Sequence, residues 1–193
     1  VPYLSYVESS QPSSNASGSA TESFKPTEGQ QWELGIKYQP PGSNTLLSAA
    51  VYDLTQKNVS VTNNVGGVTV TSQTGEVKVH GLELEAVSDV TENLKVIAAY
   101  TLAKSEVQDG LYKGNRLQLM PNQQASVWGD YTWHSGVLDG FGIGLGARYT
   151  GNTYGDQGNT YLGKAKAYTV FDAPVHYDLG RLDSSLKGAS VAV

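Results

Sequence analysis

There is no cysteine among the 193 residues, which excludes disulfides, thiolate zinc sites and thiol nucleophiles without identifying a compartment. No apolar run approaches the roughly 18 residues that a membrane-spanning helix needs, and Val1 does not open a secretory signal pattern. Neither absence excludes membrane-crossing strands, whose signal per segment is far weaker. A basic excess is also missing. With 13 Lys and Arg against 18 Asp and Glu, a net charge of −5 and a pI near 5.1, nothing recommends nucleic acid as a partner. Phenylalanine occurs three times and methionine once, against 22 glycines and 12 tyrosines, a balance that favours β-structure with an interface to water. Mean hydropathy of −0.31 fits a soluble domain or a barrel with a wet lumen.

What is present is a period of two. Trp32, Leu34, Ile36 and Tyr38 share one face of Gln30–Gln39, with Glu33, Gly35 and Lys37 on the other. Leu94 to Leu102 and Phe141 to Thr150 alternate in the same way, and Ala125 to Trp133 sets Val127, Tyr131 and Trp133 against Ser126, Asp130 and Thr132. Thr169 to Tyr177 reads as the last full strand, and Leu186 to Val193 as the start of another. From Gly75 to Ser88 the phase slips at Gly81: Val77 and Val79 are odd, whereas Leu82, Leu84 and Ala86 are even. Either a bulge or a change of environment along the strand produces such a slip. With Pro2–Ser9 and Thr45–Leu54, the pattern predicts nine strands, the last incomplete.

The connections alternate in length. Pro40–Asn44, Ser88–Asn93 and His134–Gly140 are short, whereas Ser10–Gly29, Lys57–Thr74, Glu106–Asn122 and Gly151–Ala167 are long. One rim of tight turns and one of long loops is the order of outer-membrane barrels, and Greek-key sandwiches have no reason to keep it. Trp32, Tyr38, Tyr100, Tyr131, Trp133, Tyr149 and Tyr177 fall near strand ends, as interfacial girdles require. Gly142, Gly144 and Gly146 share a face that would pack poorly in a soluble core. A lipid-facing cation near the midplane costs about 2–4 kcal/mol, so Lys37, Lys95 and Arg148 are expected to point inward. The fold class is therefore all-β: an antiparallel, up-and-down transmembrane β-barrel segment. An odd strand count does not close a bacterial single-chain barrel, so residues 1–193 are expected to be part of one.

Gly81–Ala86 followed by Ala99-Tyr100-Thr101 resembles a recurring element of TonB-dependent siderophore receptors. So do Lys113-Gly114-Asn115 and Pro121-Asn122 ahead of Ala125–Trp128 and Asp130–Thr132. Gly146–Gly151, then Tyr154-Gly155-Asp156 and Asn159, then Tyr168–Ala173 and Tyr177–Leu179 is most similar to ferrichrome and related hydroxamate-siderophore receptors. The resemblance implies a barrel of about 22 strands with an N-terminal plug. The plug contacts TonB, and both it and the terminal strand are absent from residues 1–193. It further implies a bacterial outer-membrane location, outer-membrane lipid around the strands and a ferric siderophore as transported ligand. No covalently bound cofactor, metal site or catalytic activity is implied.

Asp172 and His176 share a face but lie about 13 Å apart at 3.3 Å per residue, too far for a direct hydrogen bond, so neither a triad nor a metal pair is expected of them. His80 and His134 read as turn or wall residues. Asp156 and Asn159 lack the repeated acidic positions of a calcium loop and read as a turn; Glu83 and Glu85 read as solvated wall charges. Asn15-Ala16-Ser17 and Asn58-Val59-Ser60 match glycosylation acceptors, without expected consequence in a bacterial surface loop. The ligand candidates are loop aromatics and cations: Tyr112, Lys113, Arg116, Tyr154 and Tyr161. A neutral or anionic ferric chelate can stack on tyrosine and accept its hydrogen bonds; the alternative is that these tyrosines only rigidify the loops. Another reading of the whole chain is a soluble all-β binding or adhesion module whose apolar faces pack together, and a third is a barrel enzyme using His134 or His176.

Overall fold

A computed structural model describes residues 1–13, 24–65, 67–73 and 75–193. The Asn15–Ser17 acceptor lies outside the described residues. The chain forms one continuous antiparallel layer from β1 (Pro2–Gln11), β2 (Thr27–Tyr38), β3 (Thr45–Lys57), β6 (Glu76–Asp89), β7 (Leu94–Val107), β8 (Gln123–Thr132) and β9 (Phe141–Thr150). It continues through β12 (Tyr168–Asp172), β13 (Val175–Asp178) and β14 (Ser190–Ala192), each strand paired with its neighbour in chain order. Two small hairpins stand off this layer, β4 (Ser60–Val65) with β5 (Val68–Gln73) and β10 (Thr153–Tyr154) with β11 (Lys164–Ala165).

β12 and β13 are one strand in two pieces. Both pair with β9 in a single register, from Tyr168↔Thr150 through Asp172↔Gly146 to Tyr177↔Phe141. Pro174 accepts from Gly144 N–H at 2.9 Å but has no N–H to return, and the ladder breaks there. Nine strand positions result among the described residues, matching the number expected. The last differs in extent: Leu186 belongs to a 3-10 turn (Ser184–Leu186), and β14 begins only at Ser190. The Asp183 carboxylate accepts from Ser185 N–H, which terminates the extended pattern and holds that carboxyl below its ordinary value. Two stretches expected to be plain loops, 57–74 and 151–167, contain the hairpins. Their polar, Gly- and Asn-rich sequence conceals short strands.

No bulge occurs at Gly81. β6 pairs with β3 from Thr45↔Ser88 to Lys57↔Glu76, and with β7 from Val77↔Val107 to Asp89↔Lys95, without a slip. What changes is the environment. Below this level one face is apolar and carries the Val51, Leu82 and Leu102 row, while the other presents Ala50, Glu83 and Thr101. Above it the apolar face turns polar, with Asp53, His80 and Lys104 in one row. The opposite face now carries Leu54, Val79 and Ser105, then Gln56, Val77 and Val107. Val77 is 0% exposed and packs with Val79, Ala103 and Val107 beneath Leu117 and Met120 of the long connection 108–122.

Elsewhere nothing among the described residues covers the apolar face. Leu34 is 56%, Leu145 61% and Phe171 78% exposed. Two sheets packed face to face would bury these side chains, so the soluble-module reading has no counterpart among the described residues. Tyr131, Trp133 and Phe141 gather at the short-turn rim of this face, with centroids 4.7 and 5.7 Å apart. Along β9, Phe141 and Tyr149 flank Ile143, Leu145 and Ala147, a spacing of about 26 Å at 3.3 Å per residue.

Candidate ligand-facing surface

The polar face carries Lys37, Lys95 and Arg148, as the alternation requires. Several of its charged groups find partners within the face. Arg148 Nε and Nη2 donate to the two Asp172 oxygens at 3.2 and 3.3 Å, and Tyr3 OH donates to Glu33 at 2.6 Å. His176 Nε2 lies 3.0 Å from Asp130 Oδ2, and Thr132 donates its hydroxyl proton to Asp130 Oδ1 at 3.2 Å. Asp172 and His176 therefore take separate partners across the sheet. His80 pairs with Asp53 at 2.6 Å on the other face, and His134 is exposed in the β8–β9 turn.

Glycine on the polar face has a specific geometric use. Tyr3 lies opposite Gly35, Tyr52 opposite Gly81, Trp128 opposite Gly146 and His176 opposite Gly142. In each pair the ring lies over the glycine: a Cβ there would come within 2.4, 2.1, 2.7 and 2.1 Å of ring atoms, respectively. The rings thus lie along the wall and leave space in front of it. Beside them, Thr101, Gln124, Ser126, Arg148, Thr150 and Tyr168 line an open groove of about 370 Å³ below the long loops.

Two long connections, 108–122 and 151–167, leave the same rim of the sheet. Leu117 N–H donates to Ser105 Oγ at 3.0 Å, drawing the first connection across the polar face of β7. The second docks on it through amides. Arg116 N–H donates to Asn159 Oδ1 at 2.8 Å, and Asn159 Nδ2 donates back to Arg116 O at 2.9 Å. Asn115 Nδ2 donates to Gln157 O at 2.8 Å, and Leu119 N–H to Tyr154 O at 2.7 Å. Asn159 sits at φ 53°, a left-handed conformation that asparagine tolerates better than most residues.

Of the five ligand candidates, Arg116 and Tyr154 come together, with the guanidinium 5.5 Å from the ring centroid. Lys164, which sequence reasoning did not single out, approaches the same ring at 5.8 Å. Tyr112 is half-buried and Lys113 exposed in the turn 110–115, and Tyr161 is 88% exposed near the tip of 151–167. These three are not gathered with the pair. The Asp156 carboxylate accepts from Thr160 N–H and hydroxyl at 3.1 and 2.9 Å, which is the turn expected there. The docking asparagines were missed as such because an inter-loop amide bond has no local sequence signal.

A single antiparallel layer with an uncovered apolar face, rim aromatics and a charged opposite face defines the wall of a membrane-spanning β-barrel. The chain belongs to the TonB dependent receptor-like, beta-barrel family, whose model matches residues 1–192. It is 39% identical over 193 residues to the ferrichrome outer membrane transporter/phage receptor of Escherichia coli (strain K12), covering all of this chain and 25% of that protein. It is 40% identical over 192 residues to the ferrioxamine receptor of Yersinia enterocolitica, covering 98% of this chain and 26% of that one. Among solved structures it is similar to the siderophore receptor PiuA from Acinetobacter baumannii, with a TM-score of 0.74 and 27% identity over 92% of this chain and 27% of that one. The chain thus spans about a quarter of the length of the relatives it matches. Its location is the bacterial outer membrane, with the apolar face toward lipid and the polar face toward the lumen.

Proposed function

We propose that residues 1–193 form the later wall and outer loops of a receptor that takes up a ferric siderophore of the hydroxamate class, powered through TonB. The observation that carries this reading is the match of the whole chain to a TonB-dependent receptor barrel, with a ferrichrome transporter and a ferrioxamine receptor among its relatives. The geometry supports it: two long loops turn in over a polar wall and carry Arg116 and Tyr154 to the mouth.

In this reading the whole chain is barrel domain. A plug that contacts TonB and a terminal strand with its final aromatic lie outside it. The segment performs no catalysis and holds no covalent cofactor or resident metal; the iron arrives inside its chelate as cargo. Lipid surrounds the apolar belt, nucleic acid has no part, and Tyr112, Lys113, Arg116, Tyr154 and Tyr161 are the ligand-facing candidates. The test is growth. A strain lacking the full-length receptor should fail to grow on ferric hydroxamates under iron limitation, and regain growth when it is restored. Unimpaired growth of the deletion strain on every ferric hydroxamate, with no binding by the purified receptor, would sink the reading.

A further inference from the structure

Tyr154 stands between two cations, with Arg116 at 5.5 Å and Lys164 at 5.8 Å from one ring. Among the described residues no carboxylate forms an ion pair with either. The Arg116 guanidinium reaches only neutral oxygens, Asn152 O and Oδ1, at 3.4 and 3.5 Å. Connections 108–122 and 151–167 hold Lys113, Arg116, Lys164 and Lys166 against Asp109 and Asp156, a local positive excess in a chain of net charge −5. Both carboxylates are engaged by local donors, Asp109 by Gly110 N–H at 2.8 Å and Asp156 by Thr160. Two like charges held near one ring repel each other unless an electronegative group approaches both.

We propose that Arg116, Tyr154 and Lys164 form a charge-selecting subsite at the barrel mouth. It favours ferric chelates presenting a carboxylate or outward carbonyl oxygens, and disfavours those carrying a free ammonium. The proposal rests on the ferric-hydroxamate reading and adds to it the sign of charge that the mouth accepts. The ring supplies an apolar platform, while the cations supply a field that adds to the affinity of an anion and subtracts from that of a cation.

The test uses the full-length receptor and three ferric linear trihydroxamates with one iron shell. Their terminal amine is free, acetylated or succinylated, and tryptophan quenching reads Kd. The succinylated form should bind about tenfold tighter than the free amine at low salt, with the acetylated form between them. The paired substitution Arg116→Gln with Lys164→Gln should reduce that ratio to about twofold. Arg116→Lys should preserve the ratio, which a merely packing role for Arg116 would not require. If Arg116→Gln abolishes acetylated binding, the exposed Lys164→Gln alone decides, and it should lower the ratio. A wild-type ratio near one, a reversed order, or a ratio indifferent to the substitutions overturns the subsite alone. Binding of none of the three chelates also overturns the subsite, and the receptor reading falls with it only if no other ferric hydroxamate binds.

Discussion

β3, β6 and β7 pass through two environments, and their polarity reverses between them. In the lower stretch Val51, Leu82 and Leu102 face outward, with Glu83 and Thr101 inward. In the upper stretch Asp53, His80 and Lys104 face outward, with Val77, Val79 and Val107 inward. The register never slips, so the reversal belongs to the solvent and not to the backbone. Lipid outside and water inside give way to water outside and folded loop inside. A strand's alternation therefore reports which medium lies on each side, and a break in it marks the membrane's edge as readily as a bulge.

The comparison predicts opposite tolerances on one face of one strand. Val77→Asp would place an unpaired carboxylate under Leu117 and Met120 and should destabilise this packing by about 3–5 kcal/mol. Glu83→Ala, on the same face of β6 but facing the lumen, should cost little. Limited proteolysis of the full-length receptor in detergent reads the difference as early cleavage within 108–122 for Val77→Asp alone. Equal protection of both variants would mean that the upper cluster does not hold the loop.

On the outward face the order inverts. Leu84→Arg puts a cation against lipid and should cost about 2–4 kcal/mol in vesicle unfolding titrations. Thr55→Arg, on the same face above the Asp53 row, should shift stability by no more than about 0.5 kcal/mol. Similar costs at both sites would place the lipid boundary above Asp53.

Much of the wall was legible because lipid imposes a period of two: Leu34, Ile36, Leu145 and Ala147 declare their face without any partner. The phase slip at Gly81 was legible too, but its cause was not. Choosing between a bulge and a change of medium needs the neighbours of Val77, and these come from residues 117 and 120. At the mouth, residue type pointed to Arg116 and Tyr154, yet not to Lys164, which reaches the ring because β10 and β11 pair Tyr154 with it. Tyr112 and Tyr161 carried the same chemical signal as Tyr154 and were not brought to it. The glycine row Gly142, Gly144 and Gly146 reads in the sequence as poor core material. That each lies beneath a ring on the neighbouring strand depends on register, which alternation alone leaves open.

That register can be tested where the two environments meet. A Cβ at Gly81 would lie 2.1 Å from Cζ of Tyr52, so Gly81→Ala must displace the ring and should cost about 1–3 kcal/mol. Combined with Tyr52→Ala, the added methyl should cost far less, giving a coupling of about 1 kcal/mol or more in a double-mutant cycle. Additive effects would mean that the ring does not occupy the glycine's space.

The smallest expected effect lies in the upper region, where loops rather than strands meet. Asn159 makes two bonds with Arg116 across the joint and also occupies a left-handed conformation. Alanine there would lose both features at once. Asn159→Gly removes the amide but keeps a residue that accepts φ 53°, which isolates the joint from backbone strain. Each bond contributes about 0.5–1.5 kcal/mol, so connection 151–167 should open roughly ten times more often if the two together are worth about 1.4 kcal/mol. Hydrogen exchange at the Leu119 amide, whose bond to Tyr154 O across the joint the substitution leaves in place, reads this directly, while amides in β7 and β8 should be unchanged. Faster exchange spreading into the strands would mean that the loops brace the barrel wall as well as each other.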